Sequence, residues 1–137
     1  MGGTPKQTLY PFNAIFEVTT SGTDSVDIWQ IPKGFVMTMV LAKMKTAGTG
    51  SGNLTIGDDD AGDGFILAAD ATAAADVVYG DAVTERGTYI YDATSKAGHV
   101  KVYTVATKEL KLDCSAALTT EATIDVFVFG YTYSEID

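Results

Sequence analysis

Residues 24–70 read DSVDIWQIPKGFVMTMVLAKMKTAGTGSGNLTIGDDDAGDGFILAAD, and the spacing within this stretch sets the fold class. Val26–Ile31 alternates, with Val26, Ile28 and Gln30 on one side and Asp27, Trp29 and Ile31 on the other. That period of two is a strand signal. Pro32-Lys33-Gly34 breaks the ladder as a turn. Residues 35–47 form the longest strand candidate and are apolar on both faces up to Met44. Such a strand is expected to lie centrally, covered on both sides. Residues 46–53 are a tip of Gly, Thr and Ser, residues 54–56 a short strand, residues 57–64 an acidic turn, and residues 65–68 a returning strand.

The flanks repeat this rhythm. Residues 15–20 alternate, with Phe16 and Val18 on one side. Residues 77–79, 88–92, 100–105 and 110–114 are short strands, while alanine-rich residues 69–76 are expected to make a turn or two of helix. Residues 123–133 are a second long strand, with Ile124, Val126 and Val128 on one face and Phe127, Phe129, Tyr131 and Tyr133 on the other. Thr, Val and Ile supply 39 of 137 residues and Leu only 7, as suits a pleated surface. The expectation is all-β: an antiparallel β-sandwich, jelly-roll-like, with long strands from early and late in the chain paired centrally. Residues 1–13, polar and broken by Pro5 and Pro11, are expected to form an extended N-terminal arm, leaving residues 14–137 as one domain.

Composition removes several functions. One cysteine, Cys114, precludes an internal disulfide framework and a multi-cysteine zinc site. One histidine, His99, leaves no His₂ or His₃ metal centre and no cupin-like enzyme site. A single arginine, Arg86, beside a net charge of −9 argues against nucleic-acid binding. No apolar run approaches the ~20 residues of a membrane span, and the first residues carry no apolar signal core. No cofactor and no catalytic residue are expected. Residues 58–92 hold nine acids and one base, so nearly all the acidity sits mid-chain. These are expected to be solvated loops, or else a patch that meets a basic partner or a cation.

Each candidate site has a plainer reading. Asp58, Asp59, Asp60 and Asp63 could ligate calcium, but position six of the loop is Asp63 and position twelve is Ala69, so the EF-hand pattern fails. A solvated hairpin turn is expected instead. Cys114 shares parity with Leu110 and Leu112 and reads as a small buried residue, not as a nucleophile served by His99. Gly48-Thr49-Gly50-Ser51-Gly52 lacks the Gly-Lys-Ser/Thr ending of a phosphate loop and reads as a hairpin tip. Trp29, Phe127, Phe129, Tyr131 and Tyr133 are either core or an aromatic binding face. If Ile124, Val126 and Val128 face inward, the aromatic row faces out, and a row that size implies docking or self-association. Tyr10, Pro11 and Phe12, at the end of the arm, join these as interaction candidates.

The order in residues 24–70, followed by the aromatic-rich last strand, resembles small virion proteins of tailed phages, especially jelly-roll head decoration or cement proteins. The resemblance spans roughly residues 14–133 and rests on pattern. It implies a non-enzymatic role on the outer capsid surface of a virion assembled from proteins made in the host cytoplasm. It implies the major capsid protein as partner, self-association as a homodimer or homotrimer, and an N-terminal arm reaching a neighbouring subunit. Other virion components (neck, vertex or fibre) and a carbohydrate-binding or adhesive sandwich displayed on a particle remain alternatives.

Overall fold

A computed structural model describes residues 9–104 and 107–132. Two antiparallel sheets face each other. The first runs in the order β1 (Tyr10–Thr20), β13 (Ala122–Thr132), β3 (Val36–Thr46), β10 (Lys101–Val102), with β7 (Val78–Tyr79) also against β3. The second runs β2 (Val26–Ile31), β11 (Lys108–Cys114), β5 (Asn53–Gly57), β6 (Ile66–Asp70). Two ribbons decorate this frame: β4 (Thr49–Gly50) with β12 (Leu118–Thr120), and β8 (Tyr91–Asp92) with β9 (Ala97–Gly98). Among the described residues the one helical piece is a 3₁₀ turn, Val83–Glu85. The chain is an all-β sandwich, as its alternation predicts.

The core lies between the sheets and follows the period of two. Ile124, Val126 and Val128 of β13 are buried opposite Leu110 and Leu112 of β11 and Leu54 and Ile56 of β5. The two long strands β3 and β13 pair side by side, Phe127 against Leu41 and Val128 against Val40. Before β3 the chain turns at Pro32-Lys33-Gly34-Phe35, closed by the Phe35 N–H on the Pro32 carbonyl at 3.2 Å. Gly34 takes φ +89° there, the third-position conformation that such a turn reserves for glycine.

Four expectations are corrected. The first strand begins at Tyr10, so Tyr10–Asn13 belong to the sandwich and not to an arm; residues 1–8 lie outside the described residues. Pro11 is tolerated because β1 is an edge strand. Residues 69–76 form no helix. Ala69 and Asp70 finish β6, and the Asp70 carboxylate accepts the Thr72 N–H at 2.8 Å and its hydroxyl at 2.7 Å. This local turn outcompetes the alanine propensity. Residues 88–92 are mostly turn, with Ile90 and Tyr91 N–H groups both on the Gly87 carbonyl and only Tyr91–Asp92 extended. Finally, β3 is central in its sheet but only one of its faces is covered: Met37, Val40, Ala42 and Met44 are buried, while Val36, Met39 and Leu41 are half-exposed.

Candidate functional site

The feature that the fold leaves unexplained is the outer face of the first sheet. Because Ile124, Val126 and Val128 point into the core, Phe127, Phe129 and Tyr131 must point out. Register then stacks apolar residues in rows across three strands. Ile15, Phe127 and Leu41 form one row, Asn13, Phe129 and Met39 the next, and Pro11, Tyr131 and Val36 the third. Ile15 is 61% exposed and Tyr131 43%. A shallow hollow of about 460 Å³ lies between β1 and β13, lined by Asn13, Ala14, Ile15, Phe127 and Phe129. Several contiguous half-exposed aromatic and aliphatic side chains on one flat face are the usual mark of a protein contact surface.

A charged row bounds this apolar block: Glu17, Asp125 and Lys43 stand in register across the same strands. Glu17 pairs with Lys45, and Lys43 with Asp76 at 3.3 Å. The outer side of the second sheet is unlike the first. There Lys111 meets Asp59 at 2.9 Å and Asp27 at 3.8 Å, and Lys108 meets Asp60 at 3.3 Å. Lys111 holds the Asp59 carboxyl below its ordinary value, helped by the Glu109 N–H, and Asp59 raises Lys111 in return. The sandwich therefore has one apolar and one ion-paired side.

The aromatic residues that the sequence left between core and binding face divide in two. Trp29 and Phe12 point inward and stack with ring centroids 4.9 Å apart. Phe16 stacks on Trp29 at 5.7 Å, and Phe35 meets Trp29 edge-on at 5.2 Å. These rings close one side of the sandwich and pack against its core. Tyr10 and Pro11 are exposed at the start of β1. Phe127, Phe129 and Tyr131 form the outward set, and Tyr133 lies outside the described residues.

The acidic turn holds a device that spacing alone does not reveal. Asp58 is buried, and its carboxylate accepts the Tyr89 hydroxyl at 2.8 Å, the Tyr103 hydroxyl at 2.8 Å, and the N–H groups of Asp60 and Ala61. The Lys101 ammonium stands 4.2 Å from the centre of the Tyr89 ring. Burial, then hydrogen bonding to the Asp58 carboxylate, pushes both phenols above their ordinary value. The turn is thus pinned to two distant loops and is not simply solvated. Among the described residues no group of three His, Cys, Asp or Glu side chains is placed to hold a metal ion. Cys114 is buried and its thiol donates to the Ala116 carbonyl, while His99 is exposed on the β9 side. The Gly/Thr/Ser tip is tied down where Thr49–Gly50 pairs with β12.

No protein-family model matches the chain, and no curated protein matches it. Solved structures do. A chain of the capsid asymmetric unit of cyanophage Pam1 superposes with a TM-score of 0.61 at 15% identity, over 96% of this chain and 91% of that one. A chain of the acidic stable capsid structure of Helicobacter pylori bacteriophage KHP30 superposes with a TM-score of 0.55 at 12% identity, over 94% of this chain and 97% of that one. The structural neighbours are therefore phage capsid structures, and the likeness is one of fold along nearly the whole chain.

Proposed function

We propose that this chain is a virion structural protein, a decoration or cement protein that binds the outer surface of a phage head and bridges major capsid subunits. The observation that carries the reading is the apolar outer face of the β1–β13–β3 sheet, in a fold shared end to end with chains of two phage capsids. The strand order β1-β13-β3-β10 over β2-β11-β5-β6 supports reading the sandwich as a jelly roll. The role is non-catalytic. A head packed with DNA pushes outward, so a clamp needs area and many copies, each individually weak. The face around Met39 and Leu41 docks on the capsid, and the ion-paired side faces solvent.

The test is the copy number of the chain in purified particles, by quantitative mass spectrometry against the major capsid protein. Hundreds of copies in a simple ratio are expected. A dozen copies would move the protein to neck, vertex or fibre, and absence would end the virion reading. Leu41→Asp, on the half-exposed side of β3, is expected to empty the particles while leaving the thermal midpoint of the free protein unchanged. Full occupancy by that variant would remove the docking face from the proposal.

A further inference from the structure

No described strand covers the outer edge of β1. This strand is eleven residues long, ends its sheet, and pairs with β13 without a bulge, whereas the β13–β3 pairing carries two. Among the described residues, no backbone hydrogen bond outside the β13 ladder involves residues 10–20. Long, flat, open edges are templates for strand addition, and proteins ordinarily blunt them with lysines, prolines or bulges.

Which backbone groups the edge presents follows from three observations. Pro11 has no N–H and fits a ladder only where its nitrogen faces away from the partner strand. The Phe129 carbonyl accepts the Thr38 hydroxyl at 3.0 Å, so Phe129 points to β3 and its neighbour Gly130 to β1, opposite Phe12. Thr19 and Thr123 hydroxyls lie 3.3 Å apart, the close approach of a pair that does not exchange ladder bonds. Even-numbered residues of β1 therefore bond to β13. The N–H and carbonyl groups of Asn13, Ile15, Glu17 and Thr19 face outward along the edge, with the Pro11 carbonyl beside them.

We infer that β1 pairs antiparallel with β1 of a second copy of this chain, about a two-fold axis at Ile15. That register sets Ile15 against Ile15, Asn13 against Glu17, and Pro11 against Thr19 of the other copy. Every outward group in this span finds a partner except the Thr19 carbonyl, which faces Pro11 with no N–H, giving roughly eight backbone hydrogen bonds. The Asn13 amide can donate to the facing Glu17 carboxylate. Moving the axis one residue either way takes Ile15 off the centre and sets it against Asn13 or Glu17 of the other copy. Ile15, among the described residues the most exposed large apolar side chain, is covered at the centre. The two sheets become one, and the outer apolar faces of both copies become continuous. Such an interface consumes the edge and closes at two copies. It stands on the strand edge and does not depend on the virion reading.

The test is the mass of the purified full chain by analytical ultracentrifugation at micromolar concentration. A dimer is expected. Ile15→Lys, at a position already exposed, is expected to give monomer with an unchanged far-ultraviolet spectrum. Ile15→Cys is expected to yield a covalent dimer on mild oxidation, since facing Cα atoms in this register are about 5.5 Å apart. Leu41→Cys is not. A monomeric or trimeric wild type would overturn the pairing. So would a dimer that survives Ile15→Lys, or one that Ile15→Cys fails to cross-link. Particle occupancy lost with Leu41→Asp while the dimer persists would separate docking from pairing.

Discussion

At the scale of single residues, Asp58 decides how the acidic middle of the chain behaves. Of its four donors, two lie within the 57–64 turn and two, the Tyr89 and Tyr103 hydroxyls, tie the turn to distant loops. Both phenols have raised folded-state values, so their contribution to stability is fully present below the ordinary tyrosine range, about pH 10. It is lost as pH climbs through the raised values. In an alkaline titration followed by tyrosinate absorbance, two of the 7 tyrosines are expected to ionise only as the chain unfolds. Asp58→Ala should leave both phenols raised by burial, though less so, and cost about 3 kcal/mol in urea unfolding, by stranding a buried hydroxyl and two N–H groups. Ionisation of both phenols ahead of unfolding, or an unchanged midpoint in the variant, would contradict this. The sequence displays Asp58 only as one of several neighbouring carboxylates. Its partners are 31 and 45 residues away, and no local pattern announces a hydrogen bond of that span.

Among the elements, the long strands were legible because a period of two leaves little freedom about which face is buried. Ile124, Val126 and Val128 settle the direction of Phe127 and Phe129 without any knowledge of the neighbours. Short pieces were less legible, since two-residue bridges such as Tyr91–Asp92 are set by whichever strand lies beside them. Spacing left Trp29 open between core and binding face, because the bulge between Leu110 and Lys111 resets the parity of β2 against its partner. The bulge at Thr38 of β3, opposite Phe129 and Gly130, has its own signature. A Cβ on Gly130 would stand 2.3 Å from the Val36 carbonyl oxygen and 2.6 Å from the Phe35 ring. Backbone and a fully buried ring cannot both retreat, so Gly130→Ala is expected to cost about 2–3 kcal/mol by chemical denaturation. A cost below 0.5 kcal/mol, the scale of a surface change, would mean the bulge is not braced there.

For the molecule as a whole, charge sets the response to acid. Asp59 is held low by Lys111, Asp70 by the Thr72 hydroxyl and N–H, and Asp92 by the N–H groups of Thr94 and Ser95. Each of these carboxyls is lower in the folded chain than in the unfolded one. Their stabilisation is therefore complete above the ordinary carboxylate range, about pH 4, and drains away as pH falls through the lowered folded values. The unfolding free energy is expected to be level from pH 7 to about pH 5 and to decline below pH 4. A decline beginning near pH 6 would contradict this. The same view of the whole chain connects the sandwich to load. The β1–β13 ladder runs through eleven uninterrupted pairs, with its hydrogen bonds perpendicular to the strands. A pull applied at Tyr10 along β1 is shared by all of those bonds at once, as in a lap joint under shear. A pull across the strand opens them singly, like a zipper. The chain is thus mechanically anisotropic, stiff toward tension that enters along its first strand and weak toward peeling.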